Sequence, residues 1–288
     1  MNGHLRNQRN GKPGKGIART AVKAATLTLL GFAAAAIPLH LLLQWELRDA
    51  PEEVRSQGWP IRLLQVFFAK YVIRWIDVEG LENLPVGSYL VAANHAYKSG
   101  VDGFILGHLL ATGGRRMPRI VITAESRSWA VRAERWVLHH YGIALLVPHE
   151  AASRAARRQG ITDIIAAYLQ ESAQHAVLIF PAGRAVSDPS LQLKGWSTGA
   201  VVAAQKSGCP VVPVAIGGLP LDWTAETVIF SAIEADGPKP PFHIHVRIGK
   251  PITPTGESHS DLEKLRSAVA DLMQAIPEWL RWEPKKDS

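Results

Sequence analysis

The chain has 288 residues, a single cysteine and a formal net charge of +7. One cysteine excludes a disulfide-stapled fold and suits a domain that faces a reducing compartment. Residues 1–23 carry Arg6, Arg9, Lys12, Lys15, Arg19 and Lys23 and no acid, so the rest of the chain is close to neutral; that excludes a basic nucleic-acid-binding body, and no nucleic-acid partner is expected.

The basic tail, residues 1–23, leads into Ala24–Trp45, a run of 22 residues without Asp, Glu, Lys or Arg. About 20 apolar residues cross a bilayer, and basic residues before such a run suit an anionic cytoplasmic leaflet. A signal peptide fits less well, because the small residues Ala33–Ala36 lie inside the run rather than after it. A second candidate follows at Ile61–Ile76. At helical period its Arg62, Lys70 and Arg74 share one side, and Trp59 and Trp75 bracket it. That pattern fits a helix lying in the membrane interface, and equally an amphipathic core helix with a basic outer face. Residues 24–76 are therefore read as a membrane-anchoring pair of hydrophobic helices.

From residue 77 short apolar runs alternate with helical stretches. Strands are predicted at Tyr89–Ala93, Ile120–Thr123, Ile143–Val147, Val177–Phe180, Val211–Ile216 and His243–Ile248. Helices are predicted at Val101–Ala111, Ser128–His140, Ser153–Ser172, Trp196–Ser207 and His259–Ile276. Continuous apolar strands such as VLIF and VVPVAI are buried on both faces, so residues 77–256 read as an α/β domain with a mostly parallel central sheet covered by helices. Residues 257–288 form a C-terminal helix and tail. In such sheets the functional groups collect beyond the carboxyl ends of the strands.

Asn94 and His95 fall at such an end. Ser99-Gly100-Val101-Asp102 then opens a helix with the S-x-x-D form of a capping box, Ser99 as N-cap and Asp102 at the third helical position. Asp102 is either a cap residue alone or also a carboxylate that accepts the His95 ring N–H and frees the other nitrogen to take a proton. Pro181-Ala182-Gly183 makes a tight turn after a buried strand, with Arg184 directly behind it. Backbone N–H groups beside a guanidinium suit a phosphate, whereas a surface turn with a solvated arginine needs no function. His149 and the cluster Arg154, Arg157 and Arg158 follow another strand; a solvated helix face explains them as well. Cys209, before Pro210, reads as a small buried residue. His139-His140 and His243-x-His245 lack further ligands at a telling interval, so no metal is expected.

In order along the chain, these pieces resemble the glycerolipid acyltransferases typified by 1-acyl-glycerol-3-phosphate acyltransferase. The resemblance covers roughly Val78 to Ile252. Asn94-His95 through Asp102 looks like the family's N-H-x-x-x-x-D block, with two more residues between His95 and Ser99. Gly142–His149 resembles the second block. Phe180-Pro181-Ala182-Gly183-Arg184 resembles F-P-E-G-T-R, with Ala182 in the place of the glutamate and the arginine one residue early. Val212-Pro213-Val214-Ala215-Ile216 resembles the fourth block; Lys194-Gly195 and Ile248–Ile252 also fit.

The resemblance implies a membrane-associated enzyme that moves an acyl chain from acyl-CoA or acyl-carrier protein to a lysophospholipid hydroxyl. It implies His95 as general base with Asp102 behind it. Arg184, His149 and Lys194 would hold phosphate, and Asn94, Ser99, Phe180, Pro181 and Gly183 complete the candidate substrate site. Membrane lipids and the acyl donor are the expected partners, and no cofactor is implied beyond that donor. Two alternatives are an acyltransferase for another acceptor, such as a lyso-aminolipid, and a non-catalytic lipid-binding relative.

A simple crossing by Ala24–Trp45 with its tail inside would put the catalytic domain on the far side, away from CoA. Gly31 and Pro38 interrupt the run, so a hairpin or re-entrant anchor in one leaflet is expected, with tail and catalytic domain both cytoplasmic. A reporter fused after Ser288 should be active only in the cytoplasm; activity confined to the other side would exclude the hairpin.

Overall fold

The computed structural model describes residues 65, 68–95, 100–112, 115–123, 129–147, 153–186, 191–218, 227–228, 231–232 and 243–277. The chain divides into two compact units, Met1–Asp49 and Ala50–Ser288, and every described residue lies in the second. The basic tail and the apolar run Ala24–Trp45 fall outside the described residues. Among the described residues no helix is long and apolar enough to cross a membrane.

Seven strands form one sheet: β1 (Ile76–Glu79), β2 (Tyr89–Ala93), β3 (Arg119–Thr123), β4 (Ala144–Val147), β5 (Ala176–Ile179), β6 (Val211–Gly217) and β7 (Ile244–Ile248). Their spatial order is β1-β7-β6-β2-β5-β3-β4. Every neighbouring pair is parallel except β6 and β7, which are antiparallel. All residues of β2 and β5 are buried. Helices cover both faces of these strands, so no polar face had to be written into them.

The helices are α1 (Val101–Leu110), α2 (Trp129–His140), α3 (Arg154–Gln170), α4 (Gly199–Ser207) and α5 (Ser258–Ala275). The crossovers β2–α1–β3 and β3–α2–β4 step the same way along the sheet, so right-handed connections place α1 and α2 on one face. The crossovers β4–α3–β5 and β5–α4–β6 step back and place α3 and α4 on the other. Burial follows that division. Ile105, Leu106, Leu109 and Leu110 of α1 pack with Val91, Leu178 and Val214 of the sheet. Ile165 and Leu169 of α3, Ala200 and Ala204 of α4, and Leu262, Leu265 and Val269 of α5 pack with Leu90, Val177 and Val211.

The C-terminal helix is thus part of the body, and Asp261 fastens it. This wholly buried carboxylate accepts hydrogen bonds from the Thr255 N–H (2.8 Å), the Thr255 hydroxyl (2.9 Å) and Gln205 Nε2 (3.0 Å).

The helix expected over Ile61–Ile76 needs correction where it is described. Phe68–Val72 is a single π-helical turn, Ile73–Trp75 a 3₁₀ turn, and Ile76 already belongs to β1. Phe68, Val72 and Ile76 are buried in the same cluster as α1, while Lys70 and Arg74 are exposed. For residues 68–76 the reading that holds is an apolar side against the core with a basic outer side. β1 itself was not foreseen. Gly80, just after it, has φ +87°, and a Cβ there would collide with the Ile248 carbonyl oxygen of β7.

A buried histidine is among the polar groups that this packing leaves short of a partner among the described residues. His108 of α1 stacks on Phe68 (5.2 Å between ring centroids) and meets the edge of Phe104 (4.7 Å). Its Nδ1 has no hydrogen-bond partner among the described residues. Loss of hydration lowers its pKa to about 4. The unfolded chain takes up this proton near pH 6.5 and the folded chain only near 4, so the stability it lends is full above pH 6.5 and fades as pH falls towards 4. The loss between pH 7 and 5 is about 2 kcal/mol, or roughly 4–8 °C in Tm. His108→Leu should flatten this acid limb of Tm against pH; an unchanged limb would place the acid sensitivity elsewhere.

Candidate active site

β2 lies between β5 and β6, and its carboxyl end sets the geometry of the site. In the β2–β5 register Ala92 faces Ile179, and in the β2–β6 register Ala93 faces Val214. The residues just beyond these pairs are therefore neighbours: Asn94 and His95 from β2, Phe180 from β5, and Ile216 from β6.

Asn94 is buried and its amide is committed to the protein. Its Oδ1 accepts from the Ile216 N–H (2.9 Å), and its Nδ2 donates to the Ile216 carbonyl (2.9 Å) and to Gln192 Oε1 (2.8 Å). The amide thus extends the β2–β6 ladder where the backbone leaves it. Asn94 was expected to contact substrate; its amide oxygen and nitrogen are both engaged within the protein, which holds the strand end in place.

His95 Nδ1 lies 2.6 Å from Asp102 Oδ2. Asp102 is completely buried, whereas the His95 side chain keeps 18% of its surface exposed. A substrate can therefore reach the imidazole but not the carboxylate. The other carboxylate oxygen accepts from the Gly103 N–H (2.9 Å), in the first turn of α1, where the helix dipole favours an anion. A carboxylate beside Nδ1 makes that nitrogen the donor and leaves the Nε2 lone pair free. Burying such a pair seldom stabilises a fold more than two apolar side chains would. Its place beyond a strand end fits chemistry better than stability.

The N-cap is not Ser99, as expected, but the residue after it. Gly100, at φ +72°, is the N-cap of α1, with no side-chain cap, so Asp102 is the second helical residue. Ser99 lies outside the described residues.

Phe180 lays its ring on the His95 imidazole (4.3 Å between centroids, 23° between planes). It packs on the plane of the ring, a contact that the motif alone did not reveal. Behind it, the Gly183 N–H donates to the Phe180 carbonyl (2.9 Å), closing a turn in which Gly183 takes φ +67°. Pro181 is buried in this turn, and its carbonyl accepts from the Ser197 N–H (3.2 Å). Two residues after Arg184, the Val186 N–H donates to the His95 carbonyl (2.8 Å). The turn is thus tied to the histidine at both ends, and the exposed Arg184 stands on it.

Lys194 is also exposed, in the turn Leu191–Gly195 that carries buried Gln192. Gln192 was not foreseen. It joins Asn94 to the Trp196 indole, whose N–H donates to the Gln192 carbonyl (2.8 Å).

The second basic block is set apart. Arg154, Arg157 and Arg158 open α3, which Ser153 caps by accepting from the Ala156 N–H. α3 follows β4, three strands from β2, or about 14 Å across the sheet. His149 lies outside the described residues. Cys209 is buried with a free thiol, and among the described residues no three metal-binding side chains come together.

No curated protein matches the chain. Among solved structures, it is similar to the crystal structure of the 1-acyl-sn-glycerophosphate (LPA) acyltransferase PlsC from Thermotoga maritima. The identity is 17%, covering 92% of this chain and 99% of that one, with a TM-score of 0.47. A likeness at that level carries no weight for fold or function here. Residues 75–217 match the family model described as Acyltransferase. That segment runs from the lead into β1 to the end of β6 and contains His95, Asp102, the Phe180–Arg184 turn and Lys194, so the stretch that carries the candidate site is the stretch that matches the acyltransferase family.

Proposed function

We propose that the protein is a membrane-associated glycerolipid O-acyltransferase. It moves an acyl chain from acyl-CoA or acyl-carrier protein to the hydroxyl of a lysophospholipid of the lysophosphatidate type, with its catalytic domain on the cytoplasmic face. The observation that carries this reading is the 2.6 Å contact between His95 Nδ1 and a fully buried Asp102 at the head of β2.

Nε2 of His95 takes the proton of the acceptor hydroxyl as its oxygen attacks the thioester carbonyl carbon. The tetrahedral intermediate collapses, the C–S bond breaks, and the leaving thiolate takes the proton back from the imidazolium. The products are an ester and a free thiol, so the step balances without a further cofactor. Asp102 holds the tautomer and sets its charge beside the imidazolium; Phe180 holds the plane of the ring. Base catalysis of this kind contributes roughly 10²–10⁴-fold, and holding both substrates together supplies much of the rest. Arg184, with Lys194 on the neighbouring turn, is the proposed phosphate holder. Ala182 beside it, where related chains carry glutamate, keeps a different lyso-acceptor open as the second reading.

Release of free thiol from acyl-CoA and acyl-carrier protein against a panel of lyso-acceptors tests the assignment. No acceptor-dependent release with any pair would leave a lipid-binding relative without activity. Asp102→Asn should cost at least about 10²-fold in kcat, because an amide N–H facing Nδ1 would force the ring proton onto Nε2. Near-normal turnover would mean that His95 does not depend on Asp102. Arg184→Ala should lower kcat/KM for the acceptor by roughly 10- to 150-fold, the worth of a charge-assisted hydrogen bond, with a smaller effect on the donor. An unchanged acceptor dependence would move the phosphate site towards Arg154–Arg158.

A further inference from the structure

One basic and aromatic surface is not used by the acyl-transfer chemistry. It lies on the face of the sheet that carries α1 and α2. Along α2, Arg132, Arg135, Trp136, His139 and His140 fall within an arc of about 140° at the helical period, and no acid falls inside it. Trp136 is 61% exposed, and its indole stacks on His140 (5.2 Å, 12°), which in turn meets the edge of Tyr141. Among the described residues it is the one aromatic side chain that stands so exposed.

A second stretch presents the same chemistry on the same face. Phe68 and Val72 are buried against α1, while Lys70 and Arg74 point outward. The Lys70 ammonium lies 5.5 Å from the Tyr71 ring centroid and the Arg74 guanidinium 4.7 Å from that of Trp75. On the opposite face α5 carries acids among its bases, including the exposed Glu263. The outer side of α2 therefore carries one sign of charge where that of α5 mixes both.

We propose that the face carrying residues 68–75, α1 and α2 rests on a bilayer containing anionic lipid, with Trp136 at headgroup depth. Cations flanking an amphipathic ring are the pattern of an interfacial helix, the ring at the boundary and the charges among anionic headgroups. The inference rests on the membrane-associated reading above, but concerns a docking surface rather than the reaction.

The single cysteine makes the test direct. In the full chain with Cys209→Ala, Trp136→Cys carries an environment-sensitive fluorophore, and Glu263→Cys on α5 carries it in a parallel sample. Both are bound to vesicles of phosphatidylcholine and phosphatidylglycerol. Spin-labelled lipid should quench the label at 136 several-fold more than at 263, and acrylamide should quench it less. Arg132→Glu with Arg135→Glu should remove that difference in a protein that still melts cooperatively. Equal acrylamide access at 136 and 263, with the protein still floating with the vesicles, would overturn the proposal. So would shielding at 136 without lipid quenching, which would assign the face to an acidic protein or a second copy. Thiol release in the same vesicles is read separately. An inactive protein with position 136 in the lipid would sink the enzymatic reading and keep the surface.

Discussion

The pairing of β2 with strands on both sides is the constraint from which the site follows. β2 is the central strand, buried on both faces, and its two registers decide which residues meet beyond its end. A slip of one residue against β5 would turn every side chain of β2 to the other face. It would carry His95 away from Phe180 and Asn94 away from Ile216. The register is held by apolar burial, each Val, Leu or Ile contributing about 1.5–3 kcal/mol, so the same packing that stabilises the sheet aims the imidazole. No separate device is needed to place the imidazole, and the Asp102 carboxylate at 2.6 Å fixes which of its nitrogens carries the proton.

Much of this was legible in the sequence because the signals are local. Continuous apolar runs gave six strands within a residue or so of their bounds, and Ser153 marked the start of α3. β1 escaped because Ile76-Asp77-Val78-Glu79 is short and follows a run with a helical apolar period. The direction of β7 was not readable either, since a strand shows the same pattern whichever way it runs. His95 with Asp102 was readable as a possibility because the two are close along the chain. The work of Asn94 was not, because its partners Gln192 and Ile216 lie 98 and 122 residues away. A motif shows which residues travel together; the register shows which of them meet across the strands.

The Ser99-to-Asp102 spacing misled in an instructive way. It has the form of a capping box, yet the left-handed turn falls on Gly100, which takes the N-cap position. Glycine enters that region at little cost, while serine would be strained there. Asp102 then stands in the first turn of the helix, one oxygen on the Gly103 N–H and the other on the histidine.

The two residues that lengthen the loop between His95 and Ser99, relative to the block it resembles, bear on whether the pair can survive. The entropy of closing a flexible loop grows only with the logarithm of its length. Going from four intervening residues to six costs about 0.4 kcal/mol. A charge-assisted hydrogen bond contributes about 1.5–3 kcal/mol, so the bond outweighs the longer loop. The ends, moreover, are anchored in the sheet and in the helix. His95 is fixed by β2, by the Val186 N–H on its carbonyl and by the Phe180 ring, and Asp102 is fixed by α1. An insertion between two points that are anchored independently changes the path of the chain between them and leaves their separation alone, and the 2.6 Å contact between His95 and Asp102 is what such anchoring produces.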